Sequence, residues 1–179
     1  MTPWRRLAVC VGALALASIA AGARAADPGD ADTAAQVVGL FMQSCVRFAG
    51  DVAGLRKWAL EAGMQILPAQ GQQAFLYGLP GEVFDASTKQ DKLVLISEDA
   101  GACSTTAESA SGSEVVKTLE QAMQLSHIDF KMMGEDADQQ EKILEHREYT
   151  ASQGGRQWDM LVSTVKGVAR GEVMLTTSP

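Results

Sequence analysis

Four stretches near the C-terminus decide the fold: HIDFKMM (127–133), KILEHREYTA (142–151), QWDMLVST (157–164) and EVMLTT (172–177). Apolar and polar side chains in them recur with a period of two, which sends alternate residues to opposite faces of a strand. The segments between them, Asp136-Ala137-Asp138, Gln153-Gly154-Gly155 and Lys166-Gly167, are turn formers. Connections that short join only antiparallel neighbours, so the four segments predict an antiparallel meander. Its interior face is expected to carry Ile128 with Phe130, and Leu161 with Met174.

Immediately upstream the period changes. Ser111-Gly112-Ser113-Glu114 has the spacing of a capping box, and Val115, Val116, Leu119, Ala122 and Met123 follow as the apolar stripe of a helix reaching about Ser126. His127 suits its C-terminal end, where a cation is favourable beside the last carbonyls. Before that helix, Gly81–Ala86 and Lys92–Ser97 read as strands. Asp99-Ala100-Gly101 supplies a tight turn, and Cys103, Thr105 and Ala107 alternate on one face of a returning strand. A β-hairpin results.

Further upstream, breakers and glutamines between Met64 and Pro80 leave room for a short helical turn. Val37, Leu40, Phe41, Cys45 and Phe48 lie at steps of three and four, predicting an amphipathic helix over about 32–48. Asp51 can cap a second helix carrying Leu55, Trp58, Ala59 and Ala62, and Gly63 can end it. Asp27-Pro28-Gly29-Asp30 reads as a loose tether, so residues 26–31 are expected to be flexible. The fold class is therefore α+β: an N-terminal helical hairpin, a β-hairpin, one further helix and the meander. These form a single, mainly antiparallel sheet covered by helices within one domain, residues 32–179.

The N-terminus carries an address. Arg5 and Arg6 precede an apolar run from Leu7 to Ala21, and Ala23-Arg24-Ala25 offers small residues where a signal peptidase inspects them. Residues 1–25 are thus expected to be a signal peptide cleaved near Ala25, placing the mature chain in the periplasm or outside the cell, with no membrane insertion after cleavage. Loss of three arginines leaves 12 basic against 22 acidic residues, a formal charge of −10. That sign disfavours nucleic acid and anionic lipid, whose binding is driven by lysine and arginine, and suits a basic envelope or secreted protein.

Cys45 and Cys103 survive processing and, in an oxidising compartment, an isolated pair reads as a disulfide. Metal binding would need more ligands at tight spacing than His127 and His146 supply. Asp136-Ala137-Asp138 with Glu141 alternates carboxylates but lacks the glycine of a calcium loop. No phosphate loop, zinc-protease helix, nucleophile elbow or dinucleotide fingerprint occurs, and neither a metal nor a cofactor is expected. His146 and Glu148 would share one strand face and are the one acid/base pair the sequence offers. Trp58, Tyr77 and Trp158 are the aromatics that would mark a recognition surface if left exposed beside Arg56 or Arg156.

The export signal, Phe41 and Cys45 on one helix, Trp58 on the next, the Gly81–Asp85 strand, residues 92–99, Cys103 and Trp158 on a late strand together resemble a group of small secreted proteobacterial two-cysteine proteins. No activity is established for that group. The resemblance implies a compartment and a disulfide and carries over no catalytic residue. The sequence thus points to an exported, non-enzymatic protein-binding or envelope accessory module, of an inhibitor or immunity kind. A hydrolase with an unfamiliar site near His146 is the alternative.

Overall fold

The computed structural model describes residues 28–137 and 144–179. The leader, the cleavage site near Ala25, and Asp138, Glu141 and Lys142 lie outside the described residues. In chain order the elements are α1 (Pro28–Phe41), a π-helical turn (Met42–Val46), α2 (Val52–Glu61), β1 (Gln65–Ile66), α3 (Ala69–Leu76), β2 (Gly81–Asp85), β3 (Leu93–Glu98) and β4 (Cys103–Ala110). Then come α4 (Gly112–Leu125), β5 (Asp129–Ala137), β6 (Leu144–Gln153), β7 (Arg156–Val165) and β8 (Gly171–Ser178). The eight strands form one antiparallel sheet in the order β1-β2-β3-β4-β8-β7-β6-β5. The α+β class and the meander are as the alternation predicts.

The first helix starts earlier than expected. Pro28 opens α1, within what reads as a tether, because a proline in the first turn gives up an N–H that would have no partner there. The helix also does not run regularly to Phe48. Arg47 N–H donates to Met42 O at 3.2 Å, a five-residue step, and the Ser44 hydroxyl donates back to Leu40 O at 2.6 Å. Such back-bonding loosens a helical ladder, and the widened turn buries Ser44, Cys45 and Val46 in succession.

Asp51 caps α2 as expected, its carboxylate accepting from Gly54 N–H at 2.9 Å. Gly63, at φ 84°, closes that helix: Met64 N–H reaches Ala59 O at 3.1 Å and Gly63 N–H reaches Leu60 O at 3.0 Å. The same closure ends α4, with His127 in the left-handed conformation and Ile128 N–H on Met123 O at 3.0 Å. His127 thus serves through its backbone, and β5 begins after it. The capping box behaves differently from its spacing. Ser111 occupies the cap, but its hydroxyl turns to Ser113 Oγ at 3.2 Å and Glu114 pairs with Lys117.

One sheet face, here the inner face, carries the main core. Ser97, Cys103, Thr177, Met160 and Tyr149 form one row across five strands, and α1 and α4 lie beside each other over it. The two N-terminal helices meet at their corner, where α2 touches the π turn and β3, while the body of α1 packs on α4 and β4. Cys45 and Cys103 are buried and disulfide-bonded with Cα atoms 5.3 Å apart, tying the helical layer to the sheet. Closing this 58-residue separation contributes about 4 kcal/mol in the chain-entropy account.

The expected interior register is corrected on two strands. Trp158, Met160, Val162, Val173 and Leu175 face the core, whereas Leu161 and Met174 point to the opposite, outer face. Met160-Leu161-Val162 and Val173-Met174-Leu175 are apolar without interruption, so alternation alone does not choose a face, and a one-residue slip exchanges the two. The helices are not all on one side either. On the outer face α3 packs Leu76 on Val83 and Ile96, with Phe75, Val94 and Met174 around them. Gly81 permits this approach, since a Cβ there would meet Ser97 O at 2.6 Å and Leu76.

Candidate functional site

The outer face beyond α3 is a lattice of side chains fixed by register. One row runs Val83, Ile96, Ser104, Thr176, Leu161, Glu148 and Gly134; the next runs Val94, Thr106, Met174, Ser163, His146 and Asp136. His146 and Glu148 therefore do share a face. His146 Nδ1 lies 2.9 Å from Ser163 Oγ on the neighbouring strand. Glu148, two residues along and roughly 7 Å away by strand geometry, stands opposite Leu161 and Gly134 and is exposed. The backbone N–H groups of these strands belong to the ladder, which leaves no free backbone donor beside Ser163 among the described residues. A cross-strand histidine–serine pair on an open sheet is what results.

Two shallow hollows open on this face where the sheet ends. One, of about 460 Å³, is lined by residues including Met133, Glu148, Asp159 and Leu161. The other, of about 440 Å³, is lined by Asp129, Lys131 and Met133 among others. Met133 and Thr150 belong to both. A bulge between Met132 and Gly134 produces this arrangement, leaving Met132 49 % and Met133 58 % exposed in succession. The carboxylates of Asp129, Glu148 and Asp159 surround the single cation Lys131 on the outer face of β5–β8, among the described residues. The Thr150 hydroxyl donates to Asp159 at 3.1 Å.

On the inner face, a narrow groove between α4 and β6 holds the most perturbed groups. Tyr149 donates its hydroxyl to Glu120 Oε1 at 2.9 Å. Burial, then the bond to Glu120, pushes its ionisation up to about 12. Arg147 directs Nε at 3.0 Å and Nη2 at 2.8 Å onto Glu135 Oε1. Burial opposes its charge, but the bond and attraction to Glu135 outweigh that and raise its pKa further. Each of these groups has its partner within the network, so the chain Glu120–Tyr149–Arg147–Glu135 binds α4 to the meander; beside it lie a small pocket of about 90 Å³ and an open hollow of about 450 Å³ lined by Lys117, Glu120, Gln124 and Arg147 among others.

The three aromatics singled out in the sequence are not brought together. Trp158 is corrected from candidate surface to core: it is 2 % exposed, and its indole N–H has no hydrogen-bond partner. Trp58 is half-buried against Phe48, with ring centroids 6.0 Å apart, and Arg47 lies over Phe48. Tyr77 is 86 % exposed at the end of α3, on the other side of the sheet. Arg56 does not pair with an aromatic; it bonds Ser97 O at 2.8 Å and Asp99 at 2.6 Å, pinning α2 to the β3 turn. Among the described residues no three histidines, cysteines or acids are grouped to hold a metal, and no helix is long and apolar enough to cross a membrane.

Sequence reasoning passed over Met132-Met133. The signal was there: two adjacent methionines followed by Gly134 interrupt the alternation of β5, which is how a bulge reads in a strand. The Tyr149–Glu120 bond had no such signal, because the residues are 29 positions apart. No family model matches the chain, and neither a curated protein nor a solved structure was found to be similar to it.

Proposed function

We propose that the chain is an exported, non-enzymatic protein-binding module of the cell envelope that recognises a basic partner. The observation that carries this reading is the flat setting of His146: among the described residues its side-chain hydrogen bond is to Ser163, beside it on a sheet face whose backbone N–H groups are engaged in the ladder. The leader-like N-terminus, the resemblance to small secreted two-cysteine proteins and the disulfide support an envelope address. The mature charge of −10 supports a basic partner. Immobilised mature protein, challenged with envelope extract, should retain a basic protein at near one-to-one ratio, released by salt. Retention unaffected by salt, or of acidic proteins alone, would overturn the reading.

One observation favours a hydrolase instead: the 2.9 Å approach of Ser163 to His146, the contact by which a base activates a nucleophile. A fluorophosphonate probe would label Ser163 of the mature protein, and Ser163→Ala would abolish the label. An unlabelled Ser163 removes this alternative.

A further inference from the structure

Building on the binding-module reading, we infer that the edge of β5 and the outer face beside it, centred on Met133, accept an extended segment of another protein that alternates lysine or arginine with apolar residues. The segment adds to the sheet as a ninth strand.

The argument begins with the edge. β5 is nine residues long and ends the sheet, hydrogen-bonded to β6 on one side only among the described residues. An unpaired edge presents N–H and C=O groups to any extended chain, and natural edges are usually blunted by charge, proline or brevity. Here Lys131 is one blunting charge, but the next two side chains are exposed methionines. Methionine is adaptable and apolar, and it is enriched at binding surfaces. Met133 forms the ridge between the two hollows, so an added strand would have an apolar contact at its centre and a recess on either side.

Charge selects the occupant. Asp129, Glu148 and Asp159 line those recesses and Glu148 and Asp159 are exposed, against Lys131 alone. A second copy of this chain is a poor occupant, because pairing β5 with itself repeats Asp129 and Glu135 across the seam and brings two bodies of charge −10 together. A basic strand meets the acids, and its alternate side chains reach the face on which they stand.

The test uses the mature protein and three synthetic ten-residue peptides: lysine alternating with valine and threonine, the same with glutamate for lysine, and the lysine peptide with two central prolines. Amide chemical shifts should move at Lys131–Gly134 and around Glu148 and Asp159 on titration with the first peptide. The other two should bind at least about tenfold more weakly, since one loses the charge match and the other the ladder. Met133→Lys should weaken the lysine peptide about tenfold, and Lys131→Glu, which removes the one opposing cation, should tighten it about threefold. Shifts that instead fall on another face, or equal binding of the proline peptide, overturn this site and leave the binding-module reading standing. If neither the lysine peptide nor polylysine binds any face of the protein, the site and the basic-partner reading both fail.

Discussion

The two ends of the sheet are built on opposite plans. At one, β1 is only two residues long and is followed at once by Leu67 and Pro68, and α3 lays Leu76 over Val83 and Ile96. Arg56 clamps the adjacent turn through Ser97 and Asp99, and the disulfide enters the sheet at Cys103, on β4. At the other end β5 offers nine residues, a bulge and two exposed methionines. The first end lays a helix over part of its outer face and still exposes Ile66, Tyr77 and Leu79; at the second, among the described residues, no helix covers the outer face and both methionines are exposed. A two-residue edge strand offers little ladder to a further strand and a nine-residue one offers more, which is why the docking edge proposed above is β5.

The largest test of this contrast is the covalent tie. Replacing both cysteines, Cys45→Ala with Cys103→Ala, should lower stability by about 4 kcal/mol in chemical denaturation, and hydrogen exchange should quicken first in β3, β4 and the π turn. Equal loosening of β5 would mean the two ends are one cooperative unit. Leu76→Ala removes the side chain that covers Val83 and Ile96 on the outer face and should cost about 2–3 kcal/mol, with new exchange at β2.

Tyr149→Phe should cost about 1–2 kcal/mol, because it leaves the Glu120 carboxylate without its donor under α4. The same residue gives a pH signature. Its hydroxyl ionises near 12 in the folded chain, above the ordinary 10, so folding favours the neutral form. That contribution is whole below about pH 10 and is lost as the pH rises through about 12; near-ultraviolet absorbance should show one tyrosine titrating there, and the Phe variant should lose it. Smallest of all, Met133→Ser should change stability by no more than about 0.5 kcal/mol, since the side chain is 58 % exposed, and should leave the melting curve of the other edge unmoved.

How much of this was legible beforehand depends on how local the signal is. Asp51 as a cap, Gly63 as a stop and the turn at Gly154-Gly155 act within a few residues, and each appears where its chemistry puts it. Ser111 shows the limit: the box spacing marks where α4 starts, yet the hydroxyl finds Ser113 closer than the backbone it was expected to cap. Leu161 and Met174 fail for another reason. Strands that are apolar on consecutive positions carry no alternation to read, and the face was chosen by the helices that arrived to cover Met160, Val162 and Leu175. Of the candidate sites, His146 and Glu148 were placed on one face by simple parity, while the burial of Trp158 and the separation of Trp58 from Tyr77 depended on elements far apart in the chain.

By itself, the sequence determined the strands of the meander, the helix caps, the acid excess and the pairing of the two cysteines, because these rest on short-range periodicity, composition and residue chemistry. Only the tertiary structure decided which faces became core, that α3 covers the outer face of β2 and β3 while β5 ends the sheet among the described residues, and that Ser163 meets His146 and Glu120 meets Tyr149. Those outcomes follow from burying the largest apolar area at once across all layers, a competition that no single segment can settle from its own residues.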